Sequence, residues 1–198
     1  MVEKFTAQKE RLMNPFERIF SRYQNLPAVD LTQGRSIAYS RTSTRRLMEL
    51  IDANGQGNVH GGVIMRIVDE SAAIVAIKHS QRGVVTARVE TFNFLAPAFI
   101  GDLITVNCEM NFVGRTSMEV GVEVTAEDLI TREIRKIASS YVIYVAIDEK
   151  RQPTPVPPLI PADDDEAAII KRAHVRRIHR KKIDEEWTRA EQERDSTL

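Results

Sequence analysis

The sequence predicts a single α+β domain, an antiparallel sheet wrapped around one central helix with a helical extension at each end, and three observations predict it. A glycine-entered, largely apolar helical stretch begins at Gly61, four segments with two-residue alternation follow it, and the breaks between those segments are short. Short breaks favour antiparallel neighbours over helical crossovers. A helix apolar around much of its surface needs cover on several sides, and a sheet's concave face needs a filler, so each satisfies the other.

The elements follow in order. Phe5, Leu12, Met13, Phe16, Ile19, Phe20 and Tyr23 recur at spacings of three, four and seven, which predicts a helix over 2–23. Pro27 and Gly34 bracket a loop, and Ile37 to Leu50 reads as an extended segment blurred by Arg41, Arg45 and Arg46. A turn-rich stretch from Asp52 to His60 leads into Gly61-Gly62 and then Val63, Ile64, Ile67, Val68, Ala72, Val75 and Ala76, a buried helix ending near His79 to Gly83. Strands are predicted over Val84–Leu95, Asp102–Val113, Ser117–Thr125 and Glu133–Ile147; in the second, Ile104, Val106, Cys108 and Met110 alternate with Thr105, Asn107 and Glu109. Five of the eight prolines fall between Pro153 and Pro161, a stiff linker that ends the domain. Beyond it, acids at Asp163 to Glu166 precede Ile169, Ile170, Val175 and Ile178, a helix expected at least to Trp187. The resulting division is an N-terminal extension (1–36), a central domain (37–150) and a linker with a charged helix (151–198).

Composition narrows the function. Lys and Arg number 28 against 28 Asp and Glu, so no global field recruits nucleic acid or a membrane. One cysteine, Cys108, excludes an intrachain disulfide framework and a multi-cysteine metal site, and it reads as inert core. Charges at Glu3, Lys4, Lys9, Glu10 and Arg11 leave no apolar run for a signal peptide, and no later stretch approaches a membrane span of about 20 residues. A soluble cytoplasmic protein is the expectation.

Chemistry concentrates between Asn54 and Glu70. Gly61 and Gly62 let helix-start amides approach a ligand, and those unpaired N–H groups with the helix dipole favour a developing oxyanion. A tight loop packed on a neighbour explains the glycines equally well. Asp69 lies seven residues beyond Gly62, on nearly the same helix face and about 10 Å along the axis. An uncompensated carboxylate on an apolar helix costs several kcal/mol, which suits a general base or nucleophile, although Asp69 and Glu70 could instead mark the wetter helix edge.

Asp52-Ala53-Asn54, Gly57 to Gly62 and Met65 to Glu70 resemble the hotdog-fold acyl-CoA thioesterases of the cytosolic acyl-CoA hydrolase type. So do Val85-Thr86, the Phe94 to Asp102 turn, Gly114 to Glu119 and the run Pro155 to Pro161, and the resemblance spans roughly residues 42–182. It implies hydrolysis of acyl-CoA to fatty acid and CoA without metal or organic cofactor. It also implies an asparagine and an aspartate acting from opposite sides of a dimer interface: Asp69 with Asn54, Asn58 being the second choice, and Gly62 as the amide that polarises the carbonyl, next to Gly61. Animal members fuse two hotdog units in one chain, and one unit is present here; the implied assembly is a dimer, extended to a trimer of dimers. Arg115, Thr116 and Ser117, after a glycine in a strand-connecting turn, offer a cation and hydroxyls to a CoA phosphate. Arg88 and Arg82 are weaker phosphate candidates.

Two rival readings stand beside this one. His60 with Glu70 could serve a hydratase or dehydratase of the same fold, or His60 could brace its loop. Lys171, Arg172, Arg176, Arg177, Arg180, Lys181 and Lys182 form a basic helical stretch that could bind RNA or an anionic surface. Its flanking acids and lack of interleaved aromatics favour a solvated face, or a brace onto a neighbouring subunit or a CoA phosphate, so nucleic acid is not expected as a partner.

Overall fold

In the computed structural model, which describes residues 26–195, the chain runs α1 (Ile37–Ser40), β1 (Thr42–Leu47), a 3-10 turn (Leu50–Asp52), α2 (Gly61–Ser80), β2 (Gly83–Phe94), β3 (Leu103–Val113), β4 (Ser117–Glu127), β5 (Ile134–Ile147) and α3 (Asp164–Asp195). The helix expected over 2–23 lies outside the described residues. The strands form one antiparallel sheet in the order β1-β3-β4-β5-β2. The alternating apolar positions put Ile104, Val106, Met110, Met118, Val120, Val124, Val142 and Tyr144 on one face, where they close over Ile64, Ile67, Val68, Ala72, Val75 and Ala76 of α2. This is the helix filling the concave sheet that the sequence predicts.

Helix α2 starts at His60, whose Nδ1 accepts the Gly62 N–H at 2.9 Å, and stops at Gln81, which takes the left-handed conformation (φ 54°) and donates its N–H to the Ile77 carbonyl. Its last turn is tied to the Pro-rich stretch: His79, fully buried, meets the Pro157 carbonyl through Nε2 at 3.0 Å, and Val156 enters the core. Burial lowers the His79 pKa from its ordinary value. The Arg35 N–H donates to the Pro158 carbonyl, and the Ile160 N–H donates back to the Arg35 carbonyl, so the prolines lie along the domain.

The extended reading of Ile37 to Leu50 is corrected. Only Thr42–Leu47 is strand; Ile37–Ser40 forms a helical turn because the buried Glu166 carboxylate of α3 accepts the N–H groups of Ile37 (3.1 Å) and Ala38 (3.0 Å). A contact made across more than a hundred residues leaves no trace in local alternation.

Helix α3 crosses the sheet's other face and extends to Asp195, past Trp187 as the expectation allows. Arg176 and Arg180 pair with Glu119 of β4, which is only 2% exposed, and Arg180 also pairs with Glu90 of β2. The Arg176 guanidinium stacks 3.9 Å from the Tyr141 ring centroid, and Arg177 lies over Phe112. With α2 on one side and α3 on the other, Val120, Gly121 and Val122 of β4 are buried in succession instead of alternating. The basic stretch is therefore an intramolecular brace, with its central arginines turned inward. Glu119→Ala is expected to lower unfolding stability by about 3 kcal/mol, since removing one member of a buried ion cluster strands the others. A denaturant midpoint measured beside the wild type checks it; an unchanged midpoint would make the cluster energetically idle.

Candidate active site

Asp69 projects from the middle of α2 toward β2 and β5, where Thr86 and Tyr144 are directly paired across the strands. Its side chain is half-buried. Oδ1 accepts the Thr86 hydroxyl at 2.8 Å and the Tyr144 hydroxyl at 3.0 Å, and the same phenol reaches the Asp69 carbonyl oxygen at 2.8 Å. Oδ2 receives no hydrogen bond among the described residues. One oxygen is thus held and the other is open, the arrangement a base or nucleophile needs. Burial first, and the Asp69 charge second, push the Tyr144 phenol well above its ordinary value, so it keeps its proton and acts as a donor.

Asn54 sits in the loop before α2. Its Oδ1 accepts the N–H groups of Gln56 (2.8 Å) and Asn58 (3.2 Å), and its own N–H donates to the Asn58 carbonyl (2.7 Å). Gly57 completes the turn at φ +84°. Because Oδ1 is consumed by the loop, the group Asn54 presents outward is its Nδ2 amide, a donor. It borders a cavity of about 380 Å³ with Asn58, Gly61, Phe94, Pro97 and Ile137. A Cβ on Gly61 would stand 3.2 Å from the Phe94 ring, so glycine permits this close approach.

The Gly62 amide, expected to polarise the carbonyl, is already engaged in this conformation. Gly62 N–H is taken by His60 Nδ1, whereas Gly61 N–H, which borders the cavity, has no partner among the described residues. The open helix-start donor is one residue earlier than expected, because a histidine side chain caps the next.

Asn54 and Asp69 are not brought together within one chain. Asp69 does not line the cavity that Asn54 borders, and the eight residues from Gly61 to Asp69 span about 12 Å of helix. The cavity lies at the Phe94 end of β2, Asp69 near the Gly83 end. Between them runs the outer edge of β2, 12 residues long and largely exposed, with no strand beyond it among the described residues.

Arg115 is exposed in the β3–β4 turn and has no ion pair among the described residues. Thr116 and Ser117 are half-buried, and the backbone carbonyls of Arg115, Thr116 and Ser117 accept amides from Val156, Ala146 and Gly114. Ser117 pairs with Val145, one step from the row Met118–Tyr144–Thr86, so this turn shares Asp69's end of the sheet. Arg88, the weaker phosphate candidate, is paired within the chain: Asp184 of α3 holds it at 2.8 Å and Glu90 at 3.3 Å. Arg82 donates to the carbonyls of Gln81 and Pro27. His60 is the helix cap and Glu70 lies exposed ten residues along α2, so the two do not meet within the chain. Cys108 is buried in the core, and burial pushes its thiol up to about 12.

Thr86 and Tyr144 are the site residues that sequence reasoning missed. Thr86 falls within a stretch carrying the family resemblance, but only the cross-strand register shows that the two hydroxyls stand side by side beneath Asp69. Among the described residues, no helix is long and apolar enough to cross a membrane.

Comparison with known proteins extends this geometry. Residues 56–132 match the Thioesterase superfamily. The chain is 32% identical over 169 residues to the cytosolic acyl coenzyme A thioester hydrolase of Mus musculus, covering 83% of this chain and 43% of the relative, so it spans less than half of that protein's length. An apo-hexameric acyl-CoA thioesterase of the hotdog fold aligns with a TM-score of 0.73 at 36% identity, over 76% of this chain and 96% of the other. An acyl-CoA hydrolase from Staphylococcus aureus, in complex with butyryl coenzyme A, coenzyme A and coenzyme A disulfide, aligns with a TM-score of 0.66 at 31% identity, over 79% of this chain and 99% of that one. It is also known as three alanine variants: of an asparagine, of an aspartate fifteen residues further on, and of a threonine seventeen beyond that.

Proposed function

The chain belongs to the acyl-CoA thioester hydrolases of the thioesterase superfamily, and from that premise we propose that it cleaves acyl-CoA to a free fatty acid and CoA at sites that two copies complete. One observation carries the reading. Asn54, Asp69 and Thr86 stand fifteen and seventeen residues apart, the spacing of the three residues replaced in the Staphylococcus aureus hydrolase.

The second copy follows from the open edge. Pairing of β2 with its twin about a two-fold axis lays the Phe94 end of one strand along the Gly83 end of the other, because the paired strands run antiparallel. Each Asn54 cavity then faces the Thr86 and Asp69 of the other copy. Exposed Val85 and Val89 on β2 supply apolar surface for that pairing. Assembly to a trimer of dimers is the extension suggested by the hexameric thioesterases among the similar structures.

Within such a site the thioester carbonyl accepts hydrogen bonds from Gly61 N–H and Asn54 Nδ2, where negative charge develops. Gly62 N–H joins them if the His60 ring swings off its cap. Asp69 Oδ2 takes a proton from the water that attacks the carbonyl carbon, or attacks that carbon itself to give an acyl-aspartyl anhydride that water then hydrolyses, freeing the fatty acid and restoring the carboxylate; on either route the C–S bond breaks and CoA leaves as thiolate, a competent leaving group without acid catalysis. Arg115, with the hydroxyls of Thr116 and Ser117, takes a CoA phosphate. The route uses no metal or organic cofactor. A cytoplasmic location is proposed from the cytosolic relative and the single buried thiol.

The test is thiol release from acyl-CoAs of graded chain length. Turnover on at least one chain length supports the reading; no release from any of them by a dimeric preparation would end it.

A further inference from the structure

We infer that Tyr144 is a positioning residue for thioester hydrolysis: its hydroxyl, beside that of Thr86, pins one oxygen of Asp69 and the adjoining main chain, and so aims the free oxygen at the reacting carbonyl. The inference rests on the proposed role of Asp69 as base or nucleophile and adds to it the residue that sets the carboxylate's orientation.

From Ala138 onward, Tyr144 is the only large polar side chain on the helix-facing side of β5, where its neighbours at two-residue spacing are Ala138, Ser140, Val142 and Ala146, and it is fully buried. A phenylalanine would fill the same space with the same ring. The hydroxyl is therefore what needs explaining, and its acceptors are both on Asp69: the carbonyl oxygen at 2.8 Å and Oδ1 at 3.0 Å. The single phenolic proton is shared between these two oxygens, so one three-centre contact ties both the α2 backbone at this turn and the Asp69 side chain to β5.

Thr86 alone would hold Oδ1 with a single donor, about which the carboxylate plane can still pivot. Two donors converging on one oxygen from neighbouring strands define the plane, and the oxygens being chemically equivalent, either one may be the pinned one; the free position is always the same. The ordering is inherited from the sheet, since Thr86 and Tyr144 are register partners, so the aim is set by rigid elements and not by a loop. The phenol has no part as an acid: burial and the adjacent carboxylate keep its proton on it.

Tyr144→Phe is the test, read in both the wild-type and the Asp69→Asn backgrounds. A residue acting through Asp69 gives a roughly tenfold lower kcat at unchanged KM, the loss expected on removing a hydrogen bond to a charged group, and gives no further loss once Asp69 is gone. The thermal midpoint reports whether the variant folds, and the retained ring makes it a conservative change. An unimpaired kcat in Tyr144→Phe, with Asp69→Asn inactive, overturns the inference alone. An equal loss in both backgrounds overturns it too, by assigning Tyr144 a general structural effect. Full turnover in Asp69→Asn would instead remove the reading of Asp69, and the inference with it.

Discussion

Asp69→Asn is expected to lower thiol release by roughly 10²–10⁴-fold, the range for loss of a positioned acid–base group, with an unchanged thermal midpoint. The local hydrogen bonds make this substitution unusually specific. Thr86 and Tyr144 both donate toward one position of the side chain, so an asparagine satisfies them by placing its carbonyl oxygen there; turning its NH2 toward them would set donor against donor and take the acceptor away from the Thr86 hydroxyl, while Tyr144 keeps only the main-chain carbonyl. The amide nitrogen therefore occupies the open position, where it can neither take a proton nor attack carbon. The fold, the helix–sheet contact and the cavity beside Asn54 remain as they were. Loss of turnover then reports on the open oxygen alone. Steady-state rates on a hydrolysed acyl-CoA check it, and a variant retaining more than about a tenth of wild-type kcat would reject Asp69 as the reacting group.

The parts of this molecule legible in the sequence are those specified locally. The strands from Gly83 to Ile147 were readable because Ile104, Val106 and Cys108 alternate with polar neighbours, and α2 because its glycine entrance and apolar run are contiguous. Asn54 and Asp69 could be nominated as site candidates because a loop-and-helix motif keeps its spacing in the chain. Long-range contacts account for the rest. Glu166 converts an expected strand into the α1 turn, Asp184 claims Arg88, and Glu119 draws Arg176 and Arg180 inward from what reads as an exposed basic face. His60 shifts the open amide from Gly62 to Gly61 within two residues, a detail that depends on a side-chain rotamer. Tyr144 shows the same limit: it fits an apolar alternation, and its hydroxyl acquires meaning only once β5 is set in register against β2.

Two inactive variants coexpressed in equal amounts are expected to recover about a quarter of wild-type activity per chain, provided each site draws on both copies of a symmetric dimer. The pair is Asn54→Ser with Asp69→Asn. Serine keeps an oxygen that can accept the loop amides of Gln56 and Asn58 but lacks the outward amide that Asn54 offers. Random pairing makes half of the dimers mixed. In a mixed dimer, one site combines the intact Asn54 of one copy with the intact Asp69 of the other, while the second site carries both defects. Sites built within single chains could never regain an intact pair, since every chain present has lost one member. Purifying the mixed dimer through two different affinity tags sharpens the comparison: half of wild-type turnover is expected there, and a verified mixed dimer as inactive as its parents would return both residues to one chain and leave the exposed edge of β2 without a catalytic purpose.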